Sequence, residues 1–255
     1  MAGTKVFFAS DFHLGAPDRE SSKEREKIIL RWLDHIAPEA NRIYLVGDLF
    51  DFWFEYRSVV PRGFVRFLGK LAELRDGGID LQVFSGNHDM WLKKYFPEEL
   101  GIPVYHQPIT TRIGMHTFFI GHGDGLGPGD HGYKFIKHVF ANPVCQWLFA
   151  RLHPNFAFFL ADFWSSKSRS HRDDVEFLGR DKEWLISYCE SILQTNPADF
   201  YLFGHRHLPI DFLLSNGRSR YLNLGDWINY RSYAEYDGQE LTVQFYGQTR
   251  GVIHG

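Results

Sequence analysis

The segment Val6-Phe7-Phe8-Ala9-Ser10-Asp11-Phe12-His13 decides the fold. Four apolar residues in a row form a strand buried on both faces, and the run stops at an acid and a histidine. Polar residues just past a buried strand are where an α/β sheet binds its ligands. The same arrangement recurs outward along the chain. Ile43-Tyr44-Leu45-Val46 precedes Gly47-Asp48, and Leu81-Gln82-Val83-Phe84 precedes Gly86-Asn87-His88-Asp89. Thr117-Phe118-Phe119-Ile120 precedes Gly121-His122-Gly123-Asp124, and Phe200-Tyr201-Leu202-Phe203 precedes Gly204-His205-Arg206-His207.

Helical patterns lie between these runs. Ile28, Ile29, Trp32, Leu33 and Ile36 repeat at three-to-four spacing after the charged stretch from Glu20 to Lys27. Phe64, Val65, Phe67, Leu68, Leu71 and Leu74 do the same and stop at Gly77-Gly78, a C-terminal cap. Trp184, Leu185, Tyr188, Ile192 and Leu193 make a third such face. Strands alternating with helices predict an α/β fold. Further strands are expected at 220–223, 230–236 and 241–246, with Asp237-Gly238 as a hairpin turn.

The five polar blocks supply seven candidate metal ligands: Asp11, His13, Asp48, Asn87, His122, His205 and His207. Carboxylate and amide oxygens mixed with imidazole nitrogens suit borderline divalent metals such as Mn, Fe or Zn. One structural zinc would take four ligands and favour sulfur, so seven oxygen and nitrogen donors point to two metals. Two cations about 4 Å apart suit hydrolysis of a phosphate ester or anhydride by in-line displacement. His88, next to Asn87, cannot easily serve the same metal and is expected to act on the phosphate or leaving group as a general acid or charge stabiliser. Asp89 is expected to orient the His88 imidazole, with Asp124 in a similar supporting place. Asp51 is expected to accept hydrogen bonds from loop amides. His35, His106, His116, His138 and His254 are expected to be surface or core residues.

Composition excludes several classes. The chain of 255 residues is 44% hydrophobic and 23% charged, enough to bury a substantial core. A formal net charge of −3 argues against general attraction to nucleic acid, and no basic stripe with interleaved aromatics tracks a strand. Cys145 and Cys189 lack CxxC spacing, so a reduced, cytoplasmic compartment is expected. Met1 to Lys5 runs straight into the first strand, so no signal peptide is expected. No apolar stretch reaches the roughly 20 residues of a spanning helix.

Taken in order, the blocks D-x-H, GD, GNHD, GH and GHxH resemble those of the calcineurin-like metallophosphoesterase superfamily, over residues 5 to about 227. The resemblance implies a four-layer α-β-β-α sandwich in a single domain, 1–255. It implies that Asp11, His13 and His207 hold one metal, that Asn87, His122 and His205 hold the other, and that Asp48 bridges them. Mn is the metal expected, with Fe or Zn as alternatives. A segment from about 125 to 172 breaks the strand rhythm. Its Phe135, Phe140, Trp147, Phe149, Phe156, Phe158, Phe159, Phe163 and Trp164 are cut into about three helices by Asn142-Pro143 and His153-Pro154. It is expected to be a helical cap over the site, its aromatic side chains walling a chamber for acyl chains or packing on the body.

Gly47-Asp48-Leu49-Phe50-Asp51-Phe52-Trp53, and His122-Gly123-Asp124 followed by Asp130 and Tyr133, look like the UDP-2,3-diacylglucosamine pyrophosphatase family of lipid A synthesis. Ser165-Ser166-Lys167-Ser168 resembles that family's serine–lysine segment, with Arg169 and Arg172 adding charge suited to a diphosphate. The resemblance implies substrate contacts from Asp130, Tyr133, Ser166, Lys167 and Arg169, and hydrolysis to UMP and 2,3-diacylglucosamine 1-phosphate. The family's proteobacterial branch carries Arg where this chain has His88, which instead matches the wider superfamily. A related enzyme acting on another nucleotide pyrophosphate or phosphoester is the alternative. Lys134, Lys137, His138, Arg151 and several Phe suggest peripheral attachment to the inner face of a membrane. No obligate protein partner is expected.

Overall fold

The computed structural model describes residues 4–127, 137–160, 177, 179–248 and 251–254. β1 (Lys5–Ala9) pairs in parallel with β2 (Ala40–Val46), and β2 with β3 (Asp80–Phe84). The short β4 (Val104–Tyr105) closes that edge, while β10 (Ser232–Tyr236) and β11 (Leu241–Phe245) add antiparallel on the other side. The order is β11-β10-β1-β2-β3-β4. The second sheet combines β5 (Ile109–Ile113), β6 (His116–Ile120), β7 (Phe200–Phe203), β8 (Pro209–Leu213), β9 (Arg220–Leu224) and β12 (Ile253–His254), in the order β12-β8-β9-β7-β6-β5.

Side chains on a strand point alternately to opposite faces, and both sheets use both faces. Phe7 and Ala9 pack against the helices α1 (Arg19–Ile36) and α2 (Val65–Asp76), through Ile29, Trp32, Leu33, Phe67 and Leu71. Their neighbours Val6 and Phe8 turn the other way and meet Phe118, Ile120, Phe200, Leu202 and Leu222 of the second sheet. That sheet's Phe119, Tyr201 and Phe203 face the helix Trp184–Ile192 through Leu185, Ile186 and Cys189. Helix, sheet, sheet and helix are therefore stacked as four layers. Continuous apolar runs are what such strands require, since neither face meets water.

α1 starts earlier than the apolar periodicity suggests. Asp18 caps it, its Oδ1 accepting from the amides of Glu20 at 2.8 Å and Ser21 at 2.9 Å, and the charged first turns extend a helix whose buried stripe comes later. The strands β4, β5, β8 and β12 and the short helix α3 (Tyr95–Glu99) add to the expected elements.

Three stretches in the expected cap are helical: 137–141, Pro143–Phe149 and 154–160. Asn142 caps the middle one, its Oδ1 accepting from the amides of Val144 and Cys145. Part of the aromatic stripe packs on the body: Phe149 lies 4.8 Å from Phe54 and 5.0 Å from Trp91, and Phe158 is edge-on to Phe52 at 5.5 Å between ring centroids. Trp147, Leu148, Phe156 and Phe159 are exposed. Lys137 pairs with the carboxylate of Asp124 at 2.5 Å. No helix among the described residues is long and apolar enough to cross a membrane.

Candidate dimetal site

The loops after β1, β2, β3, β6 and β7 meet at one end of the two sheets. They do so in an uncommon backbone conformation. Asp11 (φ 56°), His13 (44°), Asp48 (52°), His205 (68°) and His207 (57°) are all left-handed, at a cost of about 1–3 kcal/mol each for residues with a Cβ. Five such residues in one place require the surroundings to hold them. The Asp11 amide donates to Gly47 O (3.1 Å), that of His13 to Asp48 O (2.9 Å), and that of Trp227 to Asp11 O (3.1 Å). The His205 amide donates to Asp11 Oδ2 at 3.0 Å. The buried Arg25 of α1 clamps the first loop, its Nε donating to Phe12 O at 2.7 Å and its Nη2 to the carbonyls of His13 and Ala16. Two glycines leave room for the carboxylates: a Cβ at Gly86 would stand 2.3 Å from Asp48 Oδ1, and one at Gly204 would stand 2.5 Å from Asp11 Oδ2.

The seven donors come together in two sets. In the first, His207 Nε2 is 3.3 Å and His13 Nε2 3.6 Å from Asp11 Oδ1, and the two imidazole nitrogens are 3.3 Å apart. In the second, Asn87 Oδ1 is 3.3 Å from His122 Nε2 and 2.8 Å from His205 Nδ1. Asp48 Oδ2 stands between the sets, 3.7 Å from His13 Nε2 and 3.2 Å from His122 Nε2.

The tautomers follow from the partners on the far side of each ring. A carbonyl oxygen only accepts, so His122 Nδ1, 2.9 Å from Val46 O, carries a proton and leaves its Nε2 lone pair facing Asp48 and Asn87. His207 Nδ1 donates to Asp226 Oδ2 at 3.1 Å, which turns its Nε2 lone pair toward Asp11 and His13.

The chemistry of the donors fits divalent cations. Asp11 Oδ1 and Asp48 Oδ2 are buried and receive no hydrogen bond, which is costly for carboxylate oxygens unless a cation compensates. The two facing imidazole nitrogens pose the same problem. Protons substitute in the metal-free site. Burial opposes charge on His13 and His122, but the carboxylates of Asp11, Asp51 and Asp48 around the first, and Asp48 and Asp11 around the second, override it and raise the rings to about 9 and about 10. Burial likewise opposes ionisation of Asp11 and Asp48, yet the surrounding histidines hold both carboxyls below the usual carboxylate range.

Three supporting residues differ from expectation. Asp89 does not orient His88: its Oδ1 accepts from the Gly86 amide at 2.7 Å, and its Oδ2 from Leu49 (2.7 Å) and Phe50 (3.4 Å). It ties the block after β3 to the block after β2, and burial together with the Asp48 charge pushes its carboxyl up to about 7. The His88 ring is oriented by the backbone, Nδ1 donating to Asp51 O at 3.0 Å, while its amide donates to Asp48 Oδ1 at 2.8 Å. Asp51, expected to serve loop amides, has Oδ1 at 3.7 Å from both His13 Nδ1 and His88 Nδ1. Asp89 turns away from His88 because consecutive residues in a tight turn point in different directions. Asp226 was not foreseen, although Gly225-Asp226 after β9 repeats the pattern of Gly47-Asp48 after β2. Asp130, Tyr133, Ser166, Lys167 and Arg169 lie outside the described residues.

The chain was also compared with known proteins. A family model described as calcineurin-like phosphoesterase matches residues 4–209. A curated protein of Porphyromonas gingivalis named UDP-2,3-diacylglucosamine hydrolase is 41% identical, over 94% of this chain and 97% of its own length. Proteins of the same name from Aeromonas salmonicida and Aeromonas hydrophila are 26% and 28% identical, each over 87% of this chain and 85% and 90% of their own lengths.

Proposed function

The chain belongs to the calcineurin-like phosphoesterase family, and on that premise we propose that it hydrolyses the pyrophosphate of UDP-2,3-diacylglucosamine to UMP and 2,3-diacylglucosamine 1-phosphate, a step of lipid A synthesis. The likeness to the Porphyromonas gingivalis hydrolase along almost the whole chain supports the substrate. One observation carries the chemistry: two sets of donor atoms share a single buried carboxylate oxygen, Asp48 Oδ2.

In this reading Asp11, His13 and His207 would hold one divalent cation and Asn87, His122 and His205 the other, with Asp48 Oδ2 placed between the two donor sets. Mn is the metal proposed, on the mix of oxygen and imidazole donors. Two such cations supply Lewis acidity toward the phosphoryl oxygens and bring water within reach of deprotonation near neutral pH. The chain's own residues do the rest. Asp48 offsets the repulsion between like charges. His88, its Nδ1 donating to Asp51 O, would use Nε2 to give a proton or hydrogen bond to the phosphate or to the departing sugar 1-phosphate as the α-phosphorus is attacked. Burial of Asp11, His13, Asp48, His122 and His207 keeps bulk water from screening them.

The segment 125–172, helical at 137–141, Pro143–Phe149 and 154–160, is proposed as the cap that receives the diacylglucosamine end, with Asp130, Tyr133, Ser166, Lys167 and Arg169 as substrate contacts. Exposed Trp147, Leu148, Phe156 and Phe159, with the Arg151 guanidinium 4.6 Å over the Trp147 ring, support peripheral contact with the inner face of a membrane. A cytoplasmic setting is consistent with two free cysteines. The test is direct. Purified protein with Mn should release UMP from UDP-2,3-diacylglucosamine faster than it releases UMP from UDP-N-acetylglucosamine or CMP from CDP-diacylglycerol. Equal or faster release from either of those nucleotides would remove the substrate assignment and leave the family chemistry.

A further inference from the structure

A second concave surface lies where the first turns of α1 and α2 approach each other, beside Gly15 of the loop that carries His13. It encloses about 480 Å³, and its rim carries Arg19 and Lys23 from α1 with Arg62 and Arg66 from the start of α2. None of the four has an ion-pair partner among the described residues. The pocket holds one acid, Glu26, which is buried and already committed, its Oε1 accepting from the Phe67 amide at 3.1 Å. The buried Ser22 completes the floor.

Four cations around one cavity repel one another, and one carboxylate, Glu26, lines the pocket with them. The volume suits a small molecule, within the common 300–1,000 Å³ range of ligand sites. Guanidinium groups favour phosphate oxygens through paired, charge-assisted hydrogen bonds. We propose that this cavity is a second anion site, separate from the metal centre, and that it binds a phosphate-bearing group.

The pocket touches the metal-binding loop through α1. Ser22 Oγ accepts from the Gly15 amide at 2.7 Å, two residues past His13, and Arg25, on the same helix, holds the carbonyls of Phe12, His13 and Ala16. The phosphate has two possible sources, a free phosphorylated metabolite or an anionic lipid headgroup, and the chemistry of recognition is shared.

The test uses the Mn-loaded protein, its Arg62→Ala/Arg66→Ala variant and an Asn87→Ala variant of the metal centre. Calorimetric titration with inorganic phosphate should show two classes of site in the wild type. The double arginine variant should lose one class, or bind it about tenfold or more weakly, while Asn87→Ala keeps it. Cosedimentation with phosphatidylglycerol–phosphatidylcholine vesicles separates the sources. Loss of vesicle binding in the double variant, with phosphate competing, assigns the site to a headgroup; unchanged vesicle binding assigns it to a free phosphate. Both arginines are exposed, so circular dichroism melts should match the wild type. Identical phosphate titrations for wild type and double variant would overturn the proposal.

Discussion

Asp226→Asn probes how far the site depends on residues that touch no metal. Asp226 accepts four hydrogen bonds: Oδ1 from the amides of Asn229 (2.7 Å) and Tyr230 (3.1 Å), and Oδ2 from His207 Nδ1 (3.1 Å) and Asn229 Nδ2 (3.1 Å). An asparagine has the same shape but only one acceptor oxygen. If that oxygen takes the backbone amides, the new NH2 group faces His207 Nδ1–H, donor against donor. The ring then relieves the clash by moving its proton to Nε2, which removes the lone pair that faces Asp11. If the side chain flips, the NH2 group faces two backbone amides instead. Either way a buried donor is left unmet, at about 1–3 kcal/mol, and loss of such a partner commonly weakens metal binding by about 10- to 100-fold. The expected result is a weaker first site, formed with Asp11, His13 and His207, beside an undisturbed second. Manganese titration followed by electron paramagnetic resonance should show one tight and one weakened site, with activity recovering at high Mn. Two sites of wild-type affinity would refute the argument that Asp226 sets the His207 tautomer.

Three further outcomes follow from the same geometry. Arg25→Ala removes the guanidinium that holds the carbonyls of Phe12, His13 and Ala16, so a loss of about 2–4 kcal/mol in denaturant unfolding is expected; a loss below about 0.5 kcal/mol would show the left-handed loop to be held by other bonds. His88→Ala should lower turnover by about two to four orders of magnitude with both metals retained, checked by steady-state rates alongside metal content. Metal-free protein at pH 7 carries protons on His13 and His122, whose pKa values are raised to about 9 and about 10. These protons stabilise the metal-free fold at low pH, and that contribution fades as pH rises through 9 to 10. Cations must displace them, so Mn binding should release about two protons at pH 7 and tighten steadily toward pH 9. Calorimetry in buffers of different ionisation enthalpy counts the protons, and no release would place the rings in their neutral form.

Most of the framework was legible because the central strands are buried on both faces. Val6 to Ala9 and Phe200 to Phe203 are unbroken apolar runs for that reason, and their ends lead directly into the polar blocks. Strands at or next to the sheet edges carried less signal. β4 has two residues, β5 is Ile-Thr-Thr-Arg-Ile with exposed positions, and β8, beside the two-residue edge strand β12, opens on a proline. The donors of the two sets were legible by type and placement, but supporting residues were not. Adjacency along the chain says nothing about direction, so Asp89, next to His88, turns to backbone amides while Asp51, thirty-seven positions away, supplies the carbonyl that orients that ring. Asp226 was missed because a lone Gly-Asp after a late strand carries no histidine to draw attention. The charged pocket between α1 and α2 had no signal at all: Arg19, Lys23, Arg62 and Arg66 are ordinary surface residues until the helices bring them to one cavity.

The most direct measurement is the anomalous diffraction of crystals grown with Mn. Two peaks about 3.5–4 Å apart should appear on either side of Asp48 Oδ2, one ringed by Asp11, His13 and His207 and the other by Asn87, His122 and His205. A single peak, or two peaks that do not share Asp48, would contradict the dimetal centre on which the proposed reaction rests.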